Sequence, residues 1–179
     1  MPALPALIAV FLPIAVDTRP DLAAFTIPET AVRQVMDDPQ RYFDDMTDLI
    51  AAYGVDGAIT AEQVDTSIAF EQAKARSYVM SVLAGGDLNC DGVLTSDELR
   101  RTKAAVSASA RAKLQRSFVQ ADADGDGKVS ASELAAYGQL AADKAVSPTE
   151  IKTTKLVMAF DANSDGKVTV DEVRKGLSF

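Results

Sequence analysis

The chain has no histidine, no tryptophan and a single cysteine among its 179 residues. Without histidine it lacks the usual base of nucleophilic triads and the usual ligand of catalytic zinc. One cysteine cannot close a disulfide within the chain, which neither requires nor excludes an oxidising compartment. Basic residues are scarce as well: 18 Lys and Arg stand against 26 Asp and Glu, giving a formal net charge of −8 and a pI near 4.5. Such a balance offers no basic stripe to release phosphate counterions and argues against nucleic acid as a partner. Long apolar runs are missing except in residues 1–16, and these are too short, and too broken by Pro2, Pro5 and Pro13, to span a membrane as a helix. The rest is globular in composition, with 47 % hydrophobic residues and a mean hydropathy of +0.03, and long enough for one large domain or two small ones packed together.

What is present is a repeated twelve-residue grammar that holds most of the acidity. Asp122-Ala-Asp-Gly-Asp-Gly-Lys-Val-Ser-Ala-Ser-Glu133 places side-chain oxygens at positions 1, 3, 5, 9 and 12 and glycine at position 6. The same pattern recurs at Asp87–Glu98 and Asp161–Glu172, with loop starts 35 and 39 residues apart, enough for an exiting helix, a linker and an entering helix. Acidic surface turns would not explain glycine at 6, an aliphatic residue at 8 and glutamate at 12 in all three. Oxygens on alternating residues form a donor set for a hard cation. In the first loop the candidate ligands are Asp87, Asn89, Asp91, the carbonyl of Val93, Thr95 and Glu98. In the second they are Asp122, Asp124, Asp126, the carbonyl of Lys128, Ser130 and Glu133. In the third they are Asp161, Asn163, Asp165, the carbonyl of Lys167, Thr169 and Glu172. Glutamate at position 12 favours calcium over magnesium, because chelation by both oxygens suits the larger ion and its seven-fold shell. Three such ions bring six positive charges, taking −8 to about −2, so ion-free loops should repel themselves and loosen the fold.

A fourth copy is degenerate. Gly57 and Ile59 align with positions 6 and 8, but position 1 is then Ala52, position 3 Gly54, position 5 Asp56 and position 12 Gln63, leaving one carboxylate. Neutral groups at 1, 3 and 12 do not repay the dehydration of calcium, so this loop should not bind it usefully. Its expected role is structural: position 8 of one loop usually pairs with position 8 of its neighbour, so Ile59 is expected to bridge Leu94 and Val129 to bridge Val168.

The flanks read as helices. Asp38 can cap and Pro39 suits a first helical position, after which Tyr42, Phe43, Met46, Leu49, Ile50 and Tyr53 recur at helical spacing. Thr60-Ala-Glu-Gln63 has the form of a capping box and opens a helix through Val64, Ile68 and Phe70; another follows with Tyr78, Val79, Val82 and Leu83, ending near Gly85-Gly86. Leu114, Phe118 and Val119 line the helix entering the loop at Asp122. Leu134, Tyr137 and Leu140 follow that loop, and Ser147-Pro-Thr-Glu150 restarts a helix after Ala145. These apolar stripes are first of all core. Arg100-Arg-Thr-Lys103 reads as a solvated face, and Cys90, at position 4 of a loop with acidic neighbours, as an incidental thiol. Residues 1–16 are open to three readings: an export signal, an N-terminal arm packed in an apolar groove, or an interaction segment. The place of the protein in the cell follows from that choice: exported or periplasmic with a signal, cytoplasmic otherwise.

These loops and their spacing resemble the EF-hand superfamily, and four hands with one silent are similar to the sarcoplasmic calcium-binding proteins and calerythrin. The resemblance covers residues 38–179. It departs in that the silent hand is the first and that the N-terminal extension has no counterpart. It implies an all-α fold of two EF-hand pairs with short loop-to-loop β bridges: an extension over 1–37, one pair over 38–106 with its first hand degenerate, and a second pair over 107–179. It further implies calcium binding at three sites, with buffering as the usual role, and no enzyme activity. The alternative is a calmodulin-like sensor that opens an apolar groove to a partner helix or protein. The few methionines beyond the start, Met36, Met46, Met80 and Met158, weigh for the buffer.

Overall fold

The computed structural model describes residues 35–178; the N-terminal stretch, with the question of a signal segment or packed arm, lies outside them. Helix α1 (Pro39–Tyr53) starts as its sequence demands, with Asp38 accepting the Arg41 N–H at 3.0 Å and proline where an N–H would be unpaired anyway. Strand β1 (Ala58–Thr60) leads through the reciprocal Thr60–Gln63 capping box into α2 (Ala61–Ala84). Nothing between 61 and 84 breaks a helix, there being no proline or glycine, so the exit of the first hand and the entry of the second fuse into one rod. It stops at Gly85, where the glycine pair predicted a stop. Next come β2 (Leu94–Thr95), α3 (Ser96–Ala105), α4 (Ala108–Ala121), β3 (Lys128–Val129) and α5 (Ala131–Ala145). The Ser147–Glu150 capping box and Pro148 then restart the chain as α6 (Pro148–Lys155), which tightens into a 3-10 turn (Leu156–Phe160) before β4 (Lys167–Thr169) and α7 (Val170–Gly176).

The strand pairing differs from the expectation. Ile59 pairs with Val168, not Leu94, and Leu94 pairs with Val129, so the hands are nested: first with fourth, second with third. The physical cause is α2. A 24-residue helix is about 36 Å long, whereas paired strands lie about 4.8 Å apart, so the loops at its two ends cannot pair. The turn between α3 and α4 brings the second and third loops together; α5 then packs along α2, and α6 returns the fourth loop to the first, with Lys155 meeting Asp65 at 2.6 Å. Each end has its own core. Tyr42, Met46, Ile50 and Ile59 join Phe160, Val168, Val173 and Leu177 at one end, while Leu83, Leu94, Leu99, Leu114, Phe118 and Val129 close the other. Not every apolar position on the stripes is core: Phe70, Tyr78, Val119 and Leu140 are exposed.

Between the two ends α2 and α5 approach most closely at Gly138, where an added Cβ would lie 3.0 Å from Arg76 Cγ and 3.0 Å from Met80 Sδ. Gly138→Leu is expected to cost about 1–3 kcal/mol by overpacking, measured as a lower chemical-denaturation midpoint with unchanged slope.

Candidate metal centre

Each of the three loops is braced by its own side chains. The first carboxylate accepts the N–H of the sixth residue: Asp87 from Gly92 at 2.9 Å, Asp122 from Gly127 at 3.2 Å and Asp161 from Gly166 at 2.9 Å. The third side chain accepts from the fifth N–H, with Asn89, Asp124 and Asn163 at 3.0, 3.1 and 2.9 Å. The fifth accepts from the seventh, with Asp91, Asp126 and Asp165 at 2.9, 2.8 and 2.8 Å. Position 6 must then turn left-handed, and Gly92, Gly127 and Gly166 have φ of 82°, 81° and 80°. Position 4 is left-handed too, at Cys90, Gly125 and Ser164. The sequence reading missed this requirement, although glycine at 125 signalled it. Cys90 thus owes its place to the turn. The seventh residues lie at the strands, Lys128 in β3, Lys167 in β4 and Val93 one residue before β2.

The twelfth residue closes each loop from the first turn of the following helix. Glu133 Oε1 accepts the Ala123 N–H at 2.9 Å, while Oε2 accepts the Ser130 N–H at 2.9 Å and its hydroxyl at 2.8 Å. Glu98 spans its loop likewise, from Leu88 and Asn89 N–H groups to Thr95, and Glu172 Oε2 accepts from the N–H and hydroxyl of Thr169. The hydroxyls of Thr95, Ser130 and Thr169 also accept the glutamate's own N–H, so the ninth residue caps its helix. These oxygens are therefore committed to helix and glutamate, consistent with a ninth position that reaches an ion through water. The donors act on the charge state. The Ser130 N–H and hydroxyl, followed by the Ala123 N–H, hold the Glu133 carboxyl down at about 2, and the Thr95 groups lower Glu98 in the same way. Both carboxylates are ionised, and ready to chelate, throughout the physiological range.

At the loop starting at Asp122 the arrangement converges. Oxygens of Asp122, Asp124 and Asp126 all lie within 4.8 Å of one another, the one such carboxylate cluster among the described residues. Ligands 2.3–2.6 Å from a central calcium are at most about 5 Å apart, so this spacing fits one coordination shell. Asp122 Oδ1 is buried with no hydrogen-bond partner among the described residues, an arrangement that costs free energy unless a cation supplies the missing charge. The other two loops carry asparagine at position 3 and so contribute fewer carboxylates to the same frame.

Residues 111–178 match the family described as the EF-hand domain pair. This part of the chain is an EF-hand pair. No curated protein and no solved structure matches the chain. An EF-hand is a calcium-binding unit, and the oxygen-only donor set agrees with that.

The first hand is built differently from the other three. Val55 and Ala58 exchange N–H···O bonds at 2.9 and 3.1 Å around Asp56 and Gly57, whose φ values are 54° and 77°. That is a two-residue hairpin of the Asp-Gly kind, closed by backbone alone. Gln63 keeps the glutamate's place in the capping box, accepting the Thr60 N–H at 2.8 Å, but contributes no charge. The second and third EF-hand loops are joined by more than their strands. Ser96 donates both its N–H, at 3.1 Å, and its hydroxyl, at 2.7 Å, to the Gly127 carbonyl, a link the sequence reading did not single out.

Proposed function

We propose that the chain is a three-site calcium-binding protein whose function is the ion itself, as a buffer or a calcium-stabilised protein. The observation that carries this reading is the cluster of Asp122, Asp124 and Asp126 with its buried, unpartnered Asp122 oxygen, since it fits calcium and would be costly without a cation. The loops at Asp87 and Asp161 support it by sharing the same backbone bracing, with a bidentate-capable Glu98 or Glu172 in place. The Asp56 loop contributes strand pairing only.

Calorimetric titration of the full chain tests the count. We expect three calcium ions per chain and the loss of one on each of Glu98→Gln, Glu133→Gln and Glu172→Gln, because the neutral amide gives up bidentate chelation. A fourth site would overturn the silent reading of the Asp56 loop, and unchanged stoichiometry in all three variants would overturn the ligand assignment.

A further inference from the structure

The acidity of this chain hides a strong segregation of charge. The stretch 99–121 holds Arg100, Arg101, Lys103, Arg111, Lys113 and Arg116 and no Asp or Glu, so the remaining 12 basic residues (18 less six) face all 26 acidic ones elsewhere. The fold gathers this stretch into the α3–α4 hairpin, between the second and third EF-hand loops. Among the described residues its salt bridges are those of Arg100 and Arg101, and both go to the single carboxylate of Asp97. The other cations meet neutral groups: Lys103 donates to Gln115, Arg111 donates to the Lys103 carbonyl at 2.9 Å, and Lys113 lies 3.8 Å from the centroid of the Tyr78 ring.

Helices α3 and α4 flank a cleft of about 550 Å³. Leu99 and Phe118 supply its apolar floor, Val119 stands 63 % exposed beside it, and Arg100 and Lys103 line it on the α3 side. Asp122, Gly125 and Gly127 of the third loop form its far end.

We propose that this cleft docks an acidic partner segment, seating one apolar side chain between the helices, with calcium in the adjoining loops as the switch. Charge complementarity selects the partner: cations line an apolar recess that has one carboxylate shared between two arginines. A recess between two helices takes a side chain projecting from a peptide, whereas a lipid surface meets convex faces. The switch is electrostatic. Asp87, Asp91, Asp97 and Glu98 of the second loop, and Asp122, Asp124, Asp126 and Glu133 of the third, repel an acidic segment when no ion is bound. Two calcium ions add four positive charges at that end and reverse the balance. The inference goes beyond ion storage and rests on the second and third loops holding calcium.

The test uses the full chain and a fluorescent amphipathic helical peptide with Phe and Leu on one face and Glu on the other. Variants of the peptide carry Gln or Lys in place of Glu, and a calcium titration without peptide runs beside it. At millimolar calcium the Glu peptide is expected to bind at least about tenfold tighter than the Gln peptide, the Lys peptide not at all, and chelator to abolish binding. The double substitution R100Q/K103Q should lose about tenfold in peptide affinity and Val119→Ser a smaller amount, both with unchanged calcium stoichiometry. By reciprocity the Glu peptide should raise calcium affinity by the same factor by which calcium raises the peptide's. Equal binding of Glu and Gln peptides, preference for the Lys peptide, indifference to R100Q/K103Q, or binding to phosphatidylserine vesicles with none to peptide would each overturn the proposal. Calcium uptake without peptide binding would sink the docking alone, and absence of calcium uptake would sink the three-site reading beneath it.

Discussion

Stripping calcium from the full chain is expected to lower its melting temperature by about 20 °C or more. The estimate follows from linkage: a site at a thousandfold excess of ion over its Kd adds about 4 kcal/mol to a native state that alone binds it, and three such sites add about 12 kcal/mol. For a chain of this size each kcal/mol is worth roughly 2–4 °C. The direction follows independently from charge. Ion-free loops hold Asp122, Asp124 and Asp126 oxygens within 4.8 Å with nothing to neutralise them, and the net charge is −8 rather than about −2 with three ions. Differential scanning calorimetry in millimolar calcium and in chelator measures the shift, and coincident melting curves would contradict it. Magnesium at the same concentration should restore less, since its octahedral shell and reluctance to dehydrate suit a seven-oxygen cage poorly.

The second large effect comes from the nested pairing. Glu98→Gln is expected to lower calcium affinity at the Asp122 loop by roughly tenfold, within the usual range of site coupling, and to leave the Asp161 loop within about twofold. Glu172→Gln should leave both the Asp87 and Asp122 loops unchanged. The asymmetry arises because the second and third loops share the Leu94–Val129 strand pair and the two Ser96 hydrogen bonds to Gly127, whereas the fourth loop is paired with a hairpin that carries one carboxylate. Site-resolved NMR titration of the glycine amides at position 6 reads each loop separately, and contacts between Ile59 and Val168 methyls report the pairing itself. Weakening of the Asp122 loop by Glu172→Gln, and not by Glu98→Gln, would mean that the hands pair in chain order.

Much of this was legible in the sequence because the chemistry of a cation loop is local. Ligand spacing, the glycine at position 6, the capping boxes at Thr60, Thr95, Ser130, Ser147 and Thr169 and the stop at Gly85 all depend on residues within a turn of one another, and the structure has each of the caps in place. Pairing of the hands is not local. It turns on whether the chain between two loops bends, and the clue was an absence: residues 61–84 contain no proline or glycine, while Val146-Ser147-Pro148 interrupts the corresponding run after the third loop. A helix of that length carries the first and second loops apart, so apolar periodicity alone, which predicts two helices there as readily as one, misassigns the strands. Periodicity also could not tell which stripe residues are covered. Phe70, Tyr78, Val119 and Leu140 fall at helical spacing and yet face outward, because burial depends on what packs opposite. The close approach at Gly138 belongs to the same class, since nothing within one turn of that glycine identifies Arg76 and Met80 as its neighbours.

The most direct measurement is native mass spectrometry of the full chain, sprayed from millimolar calcium and again after chelation. Three added calcium ions per chain, falling to two in each of the three glutamate variants and to none with chelator, is the predicted result. A chain that carries no calcium at millimolar supply would contradict the account at its base.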